Sequence, residues 1–220
     1  MALILNIDTA VEGASLCIAD NEIIIAQAEN RILQTHATWI NNAIKTLFAS
    51  NNFSLADLDA IAVSNGPGSY TGLRIGLSTA KGLCFALKKP LICLNTLTIM
   101  ANAVKNEAPD LICPVIDARR MEIYTALYKK DLTIIMPPEA MIAEESRFAA
   151  ILHEHTVLFT GNAISKLETI ITSSNAIFSS TIYDASDMAA LSFKCYTQSA
   201  FDDLSYVEPF YIKPVYFNKI

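Results

Sequence analysis

Apolar residues in the first hundred positions come in two rhythms. Short unbroken runs, "ALILNID" at Ala2–Asp8, "GASLCIAD" ending at Asp20, "EIIIAQAE" from Glu22, "LDAIAV" ending at Val63 and "PLICL" from Pro90, read as strands, with Asp20-Asn21 as the turn of a hairpin. Between the third and fourth runs, Ile40, Ala43, Ile44, Leu47 and Phe48 recur at i, i+3, i+4, i+7 and i+8, which predicts a helix from about Thr38 to Ser50. A second helix is predicted from Gly72 to Lys88, capped at its start by Ser69 or Thr71.

The second half repeats the order more loosely. "LICPVIDA" ends in Asp117 much as "LILNIDTA" ends in Asp8, 109 positions earlier. Strands "EIYTALYKK" and "LTIIM" follow, then a helix near Glu144 to His153, the strand "TVLFTG", and helices near Ile164 and Ser186. This pattern predicts an α/β protein made of a duplicated unit. Its lobes are drawn at 1–103 and 104–220, with a boundary near Ala101 to Pro109 and a C-terminal tail that packs back on the first lobe. A single doubly wound sheet is the alternative.

Composition narrows the setting. The chain has 220 residues, 52% hydrophobic and 17% charged, and its mean hydropathy is positive. Acidic residues interrupt every apolar run before it reaches the length of a membrane span, and "MALILNIDTA" lacks the basic start of a signal peptide, so a cytoplasmic protein with no membrane contact is expected. Five cysteines without CxxC spacing are expected to be reduced thiols. A net charge of −6 argues against nucleic-acid binding by the chain alone.

Candidate chemistry gathers around glycine. Five of the seven glycines fall between Gly66 and Gly82, within "SNGPGSYTGLRIGLSTAKGL". A strand followed by Gly66-Pro67-Gly68 and a helix N-terminus at Ser69-Tyr70-Thr71 is either a phosphate-binding turn or a turn that needs glycine only for its backbone angles. Asp8-Thr9 and the loop Val11-Glu12-Gly13, at the end of the first strand, lie where α/β folds bind ligands; the alternative role for Asp8 is to cap its turn. Ser69 is not in a nucleophile elbow, since Pro67 and Thr71 flank it. His153-Glu154-His155 lacks a third metal ligand and reads as a solvated helix end, and His36 is isolated. No catalytic residue or metal ligand is assigned.

The segments "LNIDTA", "GASLCIAD", "LDAIAVSNGPGSYTGLRIGLSTAKGL", "VIDARRMEIYTALY" and "VEPFYIK" together closely resemble the bacterial TsaB (YeaZ) family over nearly the whole chain. The resemblance implies two actin-like lobes of the RNase H-like, sugar-kinase and chaperone ATPase superfamily. It implies an accessory, non-catalytic role in making N6-threonylcarbamoyladenosine next to the anticodon of ANN-decoding tRNAs, as a heterodimer with the metalloenzyme subunit TsaD, with the ATPase TsaE as third member. Alone, the chain is expected to form a homodimer, and to meet tRNA only through the complex. In TsaD the strand after the glycine-turn helix leads into an H-x-x-x-H metal motif; the matching positions here hold Thr96 and Met100, which cannot replace two imidazoles. Ala10 stands where the family usually has Ser, and Lys213 where a final Arg is common.

A weak nucleotide site is expected at Asp8, Thr9, Gly66, Gly68, Ser69, Tyr70 and Thr71, taking ATP or ADP with magnesium only at a partner interface. The partner surface is expected on the two helices, through Trp39, Ile40, Ile44 and Leu47 on the first and Gly72, Leu73, Gly76, Leu77 and Ala80 on the second. Gly72, Gly76 and Ala80 leave a stripe without bulk where another backbone could come close. A small-molecule kinase of the same superfamily is the rival reading, weakened by the absence of a Gly-Gly adenine turn in the second lobe; a stand-alone hydrolase would need a nucleophile–base pair that the sequence lacks.

Overall fold

A computed structural model describes residues 2–11, 13–32 and 36–213. In the first half, strands β1 (Leu3–Asp8), β2 (Ala14–Asp20) and β3 (Ile23–Asn30) precede helix α1 (His36–Ser50), β4 (Ala60–Gly66), helix α2 (Tyr70–Leu87), β5 (Leu91–Asn95) and helix α3 (Thr96–Val104). The second half has β6 (Leu111–Asp117), β7 (Glu122–Lys129), β8 (Ile134–Ile142), α4 (Glu145–Glu154), β9 (Val157–Thr160), α5 (Ile164–Glu168), β10 (Ala176–Ser179), a 3-10 turn at Ala185–Met188 and α6 (Ala189–Thr197).

Two separate five-stranded sheets form, ordered β3-β2-β1-β4-β5 and β10-β9-β6-β7-β8. Numbered within its own half, each sheet has the order 3-2-1-4-5, with the first three strands antiparallel and the rest parallel. The duplicated unit therefore prevails over the single doubly wound sheet. The hairpin turn predicted at Asp20-Asn21 is present, with Asn21 in the left-handed region at φ 56°.

The cores explain why both halves are needed. On one face of the first sheet Leu5, Ile7, Ile61 and Val63 pack against Ile40, Ile44 and Leu47 of α1 and Leu77 and Ala80 of α2. On the other face Ile4, Cys17, Ala62 and Ile92 are covered by Ala185, Met188 and Ala189, which belong to the second half of the chain. Reciprocally, Leu97, Met100, Ala101 and Val104 of α3 pack on Ile112, Ile116 and Tyr128 of the second sheet. Each lobe thus borrows a helical layer from the other half of the sequence, and the apolar surface that neither half buries alone ties them together.

Helix α2 starts where the cap chemistry dictates. Ser69 is extended (φ −60°, ψ 120°) and its hydroxyl accepts from Gly72 N at 3.3 Å; the helix ends on Lys88 in the left-handed conformation. All five cysteines are free thiols, and burial pushes Cys17, Cys84 and Cys113 up to about 12. His153 ends α4 and His155 follows it as the C-cap. No helix among the described residues is long and apolar enough to cross a membrane.

Candidate functional site

The glycine stripe of α2 serves contacts within this chain. A Cβ on Gly68 would meet the Ala10 carbonyl, one on Gly72 the Thr9 carbonyl, and one on Gly76 the Thr9 hydroxyl. Thr9 Oγ1 donates to Gly72 O at 2.8 Å, and Ser69 N donates to Ala10 O at 2.6 Å, so the backbone leaving β1 lies directly on the helix. The close approach expected of another backbone is thus made by Thr9-Ala10 of the same molecule, because these two elements must cross to close the first lobe.

Eight of the nine residues expected at a partner surface have their side chains or Cα atoms buried inside the chain: Ile40, Ile44, Leu47, Gly72, Leu73, Gly76, Leu77 and Ala80; Trp39 is half-buried. What the helices leave outside includes Gly82 and Phe85 of α2, the latter 81% exposed, and Asn41, Lys45 and Ala49 of α1. A groove of about 330 Å³ lies here, lined by Ile44, Lys45, Phe48, Phe53 and Leu83.

The residues expected to bind nucleotide divide between two neighbouring cavities. Gly68, Ser69, Tyr70 and Thr71 line an open cleft of about 600 Å³, whose opposite wall is Asp117, Arg119, Glu122 and Tyr124 of the second lobe. Asp8 lies instead in a narrower cavity of about 130 Å³ with Ser15, Met100, Gly161 and Tyr183. Val11 and Asn162 border both. Thr9 is fully buried, and Gly66 (φ +117°) faces the Phe210 carbonyl, which occupies the space a side chain would need. Glu12 of the expected loop and the side chain of His36 lie outside the described residues.

Electrostatics separate the cavities further. Burial raises the Asp8 carboxyl above its ordinary value, against the opposing pull of Ser64, the Ala10 N–H and the nearby Tyr183 hydroxyl, and the Asp184 charge adds to the rise. Burial also pushes the Tyr183 hydroxyl well above the phenol range and Asp187 up to about 6. Asp117 differs: partial burial raises it, but the Lys166 ammonium at 2.7 Å and the Arg119 N–H outweigh that and hold it below the carboxylate range. Lys166 also donates to Glu122 O at 3.1 Å, and Asn162 Oδ1 accepts from Asp117 N at 2.8 Å. The cleft therefore has one wall with helix N–H groups and one with fixed charges of both signs, a geometry that can hold a polar anionic ligand.

Asn162, Tyr124 and Tyr211 were not legible as cleft residues in the sequence, nor Lys166 as the partner of Asp117. Asp117 was legible only as the echo of Asp8 and not as a site residue; following that echo to the opposite wall is the signal that could have found its neighbours. Among the described residues no group of three or more His, Cys, Asp or Glu side chains is arranged to hold a metal ion. Thr96 and Met100 sit one turn apart at the start of α3, both buried.

Comparisons with known proteins agree with this architecture. The family model described as "TsaD: tRNA N6-adenosine threonylcarbamoyltransferase" matches residues 30–211. The "tRNA threonylcarbamoyladenosine biosynthesis protein TsaB" of Escherichia coli (strain K12) is 36% identical over 130 residues, 58% of this chain and 55% of that protein. The protein of the same description from Bacillus subtilis (strain 168) is 35% identical over 127 residues, 57% of this chain and 55% of that protein, so the alignments span about half the length of these curated relatives. Among solved structures, "YeaZ from Pseudomonas aeruginosa" superposes with a TM-score of 0.84 at 24% identity, over 96% of this chain and all of that one, which shows that the two share a fold. The chain belongs to the family that the TsaD model describes, and the curated relatives it resembles at 35–36% identity are TsaB proteins.

Proposed function

We propose that this chain takes part in making N6-threonylcarbamoyladenosine next to the anticodon of ANN-decoding tRNAs, as a non-catalytic subunit that pairs with TsaD and is joined by TsaE. The observation that carries the non-catalytic part is the start of α3. At the two positions where the TsaD resemblance implies histidine ligands, Thr96 and Met100 are buried side chains without a imidazole nitrogen to offer a metal. The partner surface in this reading is the outer face of α1 and α2, with the exposed Phe85 ring as its apolar anchor and the groove beside Phe53 and Leu83 as its pocket. Homodimer and TsaD heterodimer would compete for that one face. ATP or ADP with magnesium would bind weakly in the cleft, over the first turn of α2, and more tightly when a partner closes it.

Reconstitution tests the proposal. With TsaD, TsaE, tRNA and threonylcarbamoyl-adenylate supplied, leaving out this chain should lower modification at least about tenfold, equivalent to about 1.4 kcal/mol. The chain incubated alone with tRNA and the adenylate should give no product. Turnover by the chain alone, or full activity without it, would overturn the reading.

A further inference from the structure

The residues following α6 form a strap across both lobes. The Asp202 N–H donates to Leu91 O at 2.9 Å, and its carboxylate accepts from Cys93 N at 2.7 Å, fastening the strap to β5. Lys81 of α2 then donates to Val207 O, Asn65 donates to Glu208 O at 3.1 Å, and Phe210 N donates to Asn65 O at 2.7 Å. Beyond Phe210 the Tyr211 ring stacks on Tyr70, with centroids 5.0 Å apart, while its hydroxyl accepts from Arg74 Nε at 3.1 Å. Arg74 in turn lies 3.9 Å over the Tyr70 ring. Lys213 finally crosses to the second lobe and pairs with Glu122 of β7.

This path has a consequence for the cleft. Phe210, Tyr211, Ile212 and Lys213 form part of its lining, beside the first turn of α2. The first N–H groups of a helix have no intrahelical acceptor and carry the positive end of its dipole, and here the Ser69 hydroxyl accepts from Gly72 N. Tyr70 and Thr71, which open this helix, line the cleft together with Tyr211, whose ring packs against that of Tyr70.

We propose that the strap tip, Tyr211 to Lys213, is a gate on the cleft, and that a polyphosphate ligand reaching the first turn of α2 displaces it. The proposal rests on the reading above that the cleft takes a nucleotide, and it adds the regulation of that site. Closed, the tip is held among other contacts by the tilted packing of Tyr211 on Tyr70, the hydrogen bond from Arg74 and the Lys213–Glu122 ion pair across the lobes. A ligand that needs the same space binds more weakly by the factor required to break them. Tyr70 and Arg74 also belong to the helix that carries Phe85, so opening the gate frees a guanidinium at the N-terminal end of the face offered to a partner. Ligand and partner are then linked, and linkage of equilibrium affinities is reciprocal: a partner that engages the freed Arg74 raises the affinity for ligand by the factor that ligand raises affinity for the partner.

The test compares the full chain with Tyr211→Ala and Tyr211→Phe, titrated calorimetrically with magnesium-ATP and with inorganic triphosphate, while hydrogen exchange follows residues 203–213. Tyr211→Ala should bind both ligands about tenfold more tightly, the scale expected on losing a stack and a hydrogen bond. Tyr211→Phe, which keeps the stack, should gain only about twofold to threefold on the same reasoning. Saturating triphosphate should speed exchange in the strap of the unmodified chain. Equal or weaker binding by Tyr211→Ala, or a strap that exchanges more slowly with ligand, overturns the gate while leaving the cleft reading intact. Binding to none of the three proteins, either alone or with TsaD, removes the cleft reading and the gate with it.

Discussion

Asp8 and Asp117 stand at the same place in two copies of one topology, the last residue of the first strand of a 3-2-1-4-5 sheet, and their surroundings have diverged. Asp8 is 6% exposed, near Asp184 and Tyr183, and no cation is among the groups that shift it. Asp117 is exposed at the cleft and bonded to Lys166. The helix after the fourth strand differs as well: α2 has 18 residues seated on the end of β1 by glycines, whereas α5 has five. Topology sets where a carboxylate emerges; the packing around it sets its charge and its role.

The sharpest way to break this comparison is at the seat of α2. Gly72→Val should cost at least about 3 kcal/mol in urea unfolding, because the new branches meet the Thr9 carbonyl and neither backbone can retreat. Gly82, where an added Cβ meets nothing within 4 Å, is the control: Gly82→Ala should gain about 0.5–1 kcal/mol from helix propensity. A mild effect at Gly72 would mean that α2 is not pinned to β1.

Next in size is the pH dependence of the acids at the junction of the first sheet and the turn that covers it. Asp187, pushed up to about 6, holds its proton more tightly in the folded chain than in the unfolded one. The sign follows: stability is greatest below the ordinary carboxylate value and falls as pH rises through about 6, by about 1–2 kcal/mol. Denaturation midpoints between pH 4 and 7 measure it, and Asp187→Asn should flatten the slope.

The two equivalent aspartates give the smaller and most direct contrast. Asp8→Asn should stabilise the chain at neutral pH by about 1 kcal/mol, since it removes a charge that burial disfavours. It should also move the Asp187 transition downward, because the Asp8 charge is one of its causes. Asp117→Asn should instead lose no more than about 1 kcal/mol, as expected for a pair whose carboxylate stays exposed to solvent. That contribution is present above the ordinary carboxylate value and disappears as pH falls through the lowered value of Asp117. If both substitutions act with one sign, the divergence of the two lobes is misread.

Much of the local structure was legible because its causes are local. The helical spacing from Ile40 to Phe48, the strand-turn-helix around Gly66 and the capping hydroxyl of Ser69 all act within a few residues. Helix α3 and strand β10 were missed for a related reason. The α3 signal is the single cap Asn95, whose side chain accepts from Leu97 N and Thr98 N, and β10 is only four residues long. Neither supplies enough periodicity to stand out.

By itself the sequence determined the α/β class, the duplicated order marked by Asp8 and Asp117, the start of α2 and the resemblance to the TsaB (YeaZ) family, since periodicity, capping and motif spacing are short-range properties of a chain. Only the tertiary structure decided that two sheets form and exchange helical layers, that the glycine stripe receives Thr9-Ala10, that Asp8 and the first turn of α2 open on different cavities, and that Tyr211 returns to Tyr70. Those outcomes rest on contacts between residues that are distant in the chain, such as Thr9 with Gly72 and Arg74 with Tyr211. Burial and charge at such contacts depend on which surfaces meet, and no local pattern in either partner specifies that.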